Sequence, residues 1–269
     1  MLTMQTRHLL VLAGILAFAG CRYPFVRNPN LRLLRSDLFS VEHPAVAANG
    51  TEVYYLSGNT LWKLDINSDS ASLIRPGWFQ AIALSPDGTR LALLGRDLQL
   101  VDNTGALLQT LVPADSVEDD RIDVQFSHDG SHVYYSVGSE PHGVDYYRVA
   151  LDGTGRELVH RSPSGWSGFI LTKEDSVMDY DYGRSWPEIS PTDDDVMAYS
   201  YDWYTGGDLA LVYLSSDSVV GLDCNPYSDS RIAYPSWFPD GRKLVFCATD
   251  NKYGQPDHYQ LWMLDSVAY

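Results

Sequence analysis

The chain has 269 residues, with 19 Lys and Arg against 35 Asp and Glu, a formal charge of −16 and a pI near 4.6. That balance excludes a protein that tracks nucleic acid through its overall field, because the field repels a polyanion. Its 45% hydrophobic and 12% aromatic content, with 18 Tyr and 7 Trp, excludes a disordered chain and is ample for a substantial core.

In chain order, Arg7 and His8 precede an apolar run from Leu9 to Phe18, followed by Ala19, Gly20 and Cys21. The run is too short to cross ~30 Å of hydrocarbon comfortably and reads as the h-region of a secretory signal. Ala17-Phe18-Ala19-Gly20-Cys21 resembles the bacterial lipobox, which implies cleavage before an acylated Cys21. The expected organisation is a lipoprotein signal peptide over 1–20, a lipidated N-terminus and tether over 21–30, and one domain over 31–269. Acyl chains at ~0.8 kcal/mol per buried CH₂ would hold the protein on a bacterial membrane, facing the periplasm or the exterior, without a spanning helix. Cys224 and Cys247 remain in a disulfide-permissive compartment, either bridged or as two buried thiols, since Cys247 lies in the apolar run Leu244–Ala248.

Past residue 42 a unit recurs. It begins with a turn at Asn49-Gly50, Pro86-Asp87-Gly88, His128-Asp129-Gly130, Thr192-Asp193-Asp194 and Pro239-Asp240-Gly241. Asp bonds to nearby backbone there and Gly takes positive φ without a Cβ penalty. A β-rich strand follows each turn (Glu52–Leu56, Arg90–Leu94, His132–Ser136, Val196–Ser200, Lys243–Cys247), then a third strand such as Leu61–Asp65 or Leu261–Asp265. A weaker fourth strand follows four times, at Ser72–Ile74, Leu107–Val112, Glu157–His160 and Val219–Leu222. No capped stretch after the signal keeps a 3.6-residue apolar period, so helix is nearly absent. Four strands per roughly 40-residue unit predict an all-β fold, a β-propeller.

The units Ser85-Pro86-Asp87-Gly88-Thr89-Arg90-Leu91-Ala92 and Trp237–Phe246, each leading to a third strand such as Leu261-Trp262-Met263-Leu264-Asp265, resemble the WD-like repeats of TolB-type β-propellers over about residues 43–265. Only residues 22–42 lie between Cys21 and the first unit, where TolB has an α/β domain, so that domain's partner contacts do not carry over. Five units are recognisable as four-stranded blades. The interval between turn positions 130 and 194 is too long for one blade, and Phe169–Met178 within it reads as a degenerate sixth, the alternative being an extra hairpin on a five-bladed ring. The last unit has three strands, and Leu31–Ser36 has the length and apolar content to complete it as an outermost strand, closing the ring.

Acidic runs at Asp115–Asp123, Asp179–Asp181 and Asp193–Asp195 read as solvated turn carboxylates, because the spacing around Asp179 and Asp181 lacks the closing ligands of a calcium loop. No metal or other cofactor is expected. A nucleophile elbow is missing, and the histidines have no diagnostic setting. Tyr and Trp are the stronger signal: Tyr180, Tyr182, Tyr201, Trp203 and Tyr204 mix with polar groups as a candidate ligand surface. The expected function is a lipid-anchored envelope propeller that binds a protein or peptide without catalysis. The alternative is a carbohydrate-binding or carbohydrate-processing propeller, lyase-like, using the same aromatics on a glycan.

Overall fold

The computed structural model describes residues 28–37, 39–114, 121–139, 143–162, 170–172, 174–178, 184–201, 207–227, 230–249 and 258–267. Cys21, Tyr180, Tyr182, Trp203 and Tyr204 lie outside them. The chain enters on strand β1 (Leu31–Arg35) and then lays down antiparallel blades in order. Blade one is β2 (Val41–Val46), β3 (Glu52–Ser57), β4 (Thr60–Asp65) and β5 (Ser70–Arg75). Blade two is β6 (Phe79–Leu84), β7 (Arg90–Gly95), β8 (Leu98–Asp102) and β9 (Leu107–Val112). Blade three is β10 (Arg121–Phe126), β11 (His132–Ser139), β12 (Gly143–Ala150) and β13 (Glu157–Ser162). A two-stranded hairpin, β14 (Ile170–Leu171) and β15 (Val177–Met178), precedes blade four: β16 (Arg184–Ile189), β17 (Val196–Tyr201), β18 (Asp208–Tyr213) and β19 (Ser218–Gly221). Blade five is β20 (Ile232–Trp237), β21 (Leu244–Thr249), β22 (Tyr259–Leu264) and, on its outside, β1. The protein is thus a β-propeller of five four-stranded blades, with a hairpin where the degenerate sixth was expected.

Local chemistry sets the strand reversals. In blade two, Ser85 donates from Oγ to Asp87 at 2.6 Å, and Asp87 accepts from the Thr89 amide at 3.0 Å. Gly88 sits at φ +69, where an L side chain would be strained. Ser127, Asp129, Ser131 and Gly130 repeat the arrangement in blade three. These bonds hold the carboxyls of Asp87 and Asp129 down to about 2.

Central strands are buried on both faces between neighbouring blades, which is why β7 reads Leu-Ala-Leu-Leu with no polar alternation. Successive apolar clusters span blades one and two, two and three, four and five, and five and one. The hairpin packs on blade three, with Leu171 against Tyr134, Val144 and Tyr146. The Asp175 carboxylate accepts from the His128 amide at 2.9 Å and its backbone carbonyl from the Tyr134 hydroxyl at 3.3 Å. Closure is as expected. β1 pairs antiparallel with β22 in the register Leu31 to Leu264, and the Asp265 amide donates to the Asn30 carbonyl at 2.9 Å.

The disulfide alternative is corrected. Cys224 and Cys247 are free and buried, on opposite faces of the blade-five sheet. Cys224 packs with Leu244, Phe246 and Ala248 toward blade four, whereas Cys247 points with Val245 toward blade one. Alternation along β21 turns Cys247 away from the face against which Cys224, in the connection between β19 and β20, packs, and burial pushes both thiols well above their ordinary range.

Candidate active site

The innermost strands converge on the ring axis, and all five carry a register irregularity. The breaks fall between Glu42 and Ala45 on β2, Phe79 and Ala81 on β6, Arg121 and Val124 on β10, Ser185 and Glu188 on β16, and Ala233 and Ser236 on β20. Three of the breaks share one sequence device, an aromatic residue followed by proline: His43-Pro44, Trp186-Pro187 and Tyr234-Pro235. Proline cannot donate to a ladder, so it belongs on an edge strand or at a bulge, and the innermost strand of a blade is such an edge. The preceding residues take left-handed φ values of 48, 49 and 54. That conformation is disfavoured for bulky residues, most of all ahead of proline, and costs of order 1–3 kcal/mol each.

What the strain achieves is placement. The rings of His43 and Tyr234 come within 4.2 Å, centroid to centroid, and those of Trp186 and Tyr234 within 4.5 Å. They line a cavity of about 430 Å³ together with Asp123 and Glu188, and the exposed His128 and Asp194 stand among the turn residues at its rim.

Glu188 accepts through Oε1 from the Trp237 amide at 3.3 Å and the Ser236 hydroxyl at 3.5 Å, and the Trp237 indole donates to the Glu188 carbonyl at 3.0 Å. Blade five thereby orients a carboxyl that belongs to blade four. Burial pushes Glu188 up to about 8, against those two hydrogen bonds, and the Asp123 charge adds to the rise. Asp123 accepts from the Val124 amide at 2.8 Å, and burial pushes it up to about 7. Burial holds His43 down to about 3, so it is a neutral imidazole at physiological pH. Two carboxyls that titrate near neutrality in one aromatic cavity can act as proton donor and acceptor.

Sequence reasoning missed this site. The sequence places Asp123 at the end of an acidic run that reads as solvated, but in the structure it lies recessed on an inner strand. A signal was present: His43, Asp123 and Tyr234 each stand seven residues ahead of a turn glycine, at 50, 130 and 241. Of the aromatic candidates, Tyr201 is 38% exposed at the end of β17 and is not among the cavity's lining residues.

No protein-family model and no curated protein sequence matches the chain. Solved structures do. The fold is similar to a gluconolactonase from Xanthomonas campestris, at 12% identity and a TM-score of 0.66, covering 88% of this chain and 89% of that one. It is similar to a luciferin-regenerating enzyme, at 10% identity and a TM-score of 0.63, over 88% and 95%. It is also similar to regucalcin, a calcium-binding protein from Agrobacterium tumefaciens, at 14% identity and a TM-score of 0.60, over 87% and 93%. TolB structures match at TM-scores of 0.44 and 0.46.

At these identities the likeness is one of fold. It nonetheless corrects the expectation of a noncatalytic scaffold, and with it that of a protein without enzymatic activity. Proteins named as enzymes share the ring over nearly its whole length, and this chain's own cavity holds two carboxyls pushed up by burial. Calcium, named for regucalcin, takes roughly six to eight oxygens. Among the described residues only two recessed carboxyls, Asp123 and Glu188, line the inner cavity, and no group of three His, Cys, Asp or Glu is placed to hold a metal. That donor set does not fit such an ion.

Proposed function

We propose that the protein is a carbohydrate-processing enzyme whose substrate is a sugar or sugar lactone bound in the axial cavity, with Glu188 and Asp123 as its acid–base pair. The observation that carries this reading is the convergence of two carboxyls with raised pKa values and three aromatic rings in one cavity. A sugar ring presents C–H faces that stack on Trp186 and Tyr234, and hydroxyls that hydrogen-bond to the carboxyls. In lactone opening, the ionised carboxyl takes a proton from water as the water oxygen bonds to the carbonyl carbon. The protonated carboxyl gives its proton to the ring oxygen as the carbon–oxygen bond breaks. The hydroxy-acid product is an anion, which Asp123, Glu188 and Asp194 repel.

The test is hydrolysis of aldonolactones, followed by pH indicator, by wild type, Glu188→Gln and Asp123→Asn. Each variant should lose roughly 10²–10⁴-fold in kcat. Wild-type activity that either variant retains would remove these carboxyls from the chemistry.

We also propose that the enzyme is anchored in the bacterial envelope through acylated Cys21. The h-region from Leu9 to Phe18 and the lipobox-like Ala17–Cys21 support this.

A further inference from the structure

A carboxylate deep in a protein is ordinarily paired with a cation or neutralised by a proton, because an unpaired buried charge is costly. Glu188 and Asp123 have neutral hydrogen-bond donors only: two from Trp237 and Ser236, and the Val124 amide. Among the described residues the cavity is lined by Asp123, Glu188 and Asp194 and by no Lys or Arg. His43 does not supply the missing charge, since burial keeps its imidazole neutral. Beside the carboxyls stand the contiguous rings of His43, Tyr234 and Trp186, held there by three left-handed residues. Indole and phenol faces carry negative quadrupole density and attract a cation within ~6 Å of the ring centre.

Glu188 and Asp123, without a counter-ion among the described residues and next to aromatic faces, describe a receptor for an organic ammonium, and the ligand is the group that would complete it. The protein's charge of −16 acts in the same direction by drawing cations to the cleft. A uronate or a phosphorylated sugar would meet Glu188 and Asp123 and, among the described lining residues, no Lys or Arg.

We infer that the axial cavity selects a ligand bearing an ammonium group, an amino sugar, with the nitrogen between Glu188 and Asp123 and against the Trp186 and Tyr234 rings. The sugar part rests on the function proposed above; the ammonium part rests on the cavity alone.

Isothermal titration of the full domain at neutral pH, with four probes, separates the two. Glucosamine should bind about tenfold more tightly than glucose, the scale of one cation–π and charge contact. N-acetylglucosamine, the same ring without the charge, should lose that advantage. Tetramethylammonium should bind without any sugar. Asp123→Asn, which keeps the side chain's shape and removes the carboxyl that ionises more readily of the two, should cut the preference for glucosamine over glucose to about threefold or less. Trp186→Leu, checked for an intact fold by its melting transition, should weaken tetramethylammonium.

Equal binding of glucose, glucosamine and N-acetylglucosamine would overturn the ammonium inference and leave the carbohydrate reading standing. Binding of tetramethylammonium with no binding of any sugar would support the ammonium site and overturn the carbohydrate reading. Binding of none of the four would overturn both.

Discussion

Replacing Glu188 by Gln keeps the side chain's shape and removes its charge, and it should change how stability depends on pH. The carboxyl's ordinary value of 4.5 is pushed up to about 8 by burial in the folded protein. Between those values the folded protein holds a proton that the unfolded chain has released. Wild-type stability therefore falls as pH rises through this window and levels off above it. At ~1.4 kcal/mol per unit the window is worth at most ~5 kcal/mol. Because Glu188 is partly open to the cavity, water screens it and a working figure is ~2–4 kcal/mol. The Glu188→Gln protein escapes that loss. His43 and Asp123 titrate in both proteins and largely cancel from the difference. Urea unfolding of the pair from about pH 5 to about pH 9 gives the comparison directly. The variant should be no more stable than wild type at the acid end and ~2–4 kcal/mol more stable at the alkaline end. A stability difference that stays constant across the range would mean that Glu188 ionises as readily folded as unfolded, and the argument from burial would fail.

Gly105 takes φ +88, and a Cβ there would meet the Ile74 carbonyl at 2.6 Å, so Gly105→Ala should cost roughly 3 kcal/mol in chemical unfolding; an unchanged midpoint would contradict that geometry. Deleting residues 22–36 strips β1 from β22, unpairs that edge and exposes the apolar contacts of Leu31 and Leu34, so the whole domain should lose roughly 3 kcal/mol or more in one cooperative transition. A deletion protein that melts like the wild type would assign closure of the ring elsewhere. Cys21→Ser should abolish fatty-acid labelling and move the protein from the membrane fraction to the soluble envelope fraction; membrane retention of the variant together with an unlabelled wild type would refute the anchor.

The parts of the ring that were legible in the sequence are those fixed by neighbours a few residues apart. A Ser-x-Asp-Gly turn is closed by its own side chains, as the Ser85–Asp87–Thr89 bonds show, so its identity survives in a short window. Closure by Leu31–Ser36 was legible for a different reason: a three-stranded last blade leaves an unpaired edge, and the strand that covers it has to come from outside the repeats. The active site obeys neither rule. Its rings and carboxyls sit on the innermost strands, whose free edge lets a proline bulge form with few ladder bonds to break, and the bulge turns the side chain off the period-two pattern by which strand faces are read. Contacts that assemble the site, such as the Trp237 amide on Glu188 or the Val46 amide on Ser236, join residues 49 and 190 positions apart. Asp123 looked like one more acid in a loop because its distinguishing feature, burial without a counter-ion, exists only once the ring has closed around it. The aromatic–Pro dipeptides at 43, 186 and 234 stand in the sequence without a local signal of their role. In a blade packed on both faces an aromatic before proline has an ordinary packing use, and only the strained φ values, which appear once the chain has folded, set these three apart.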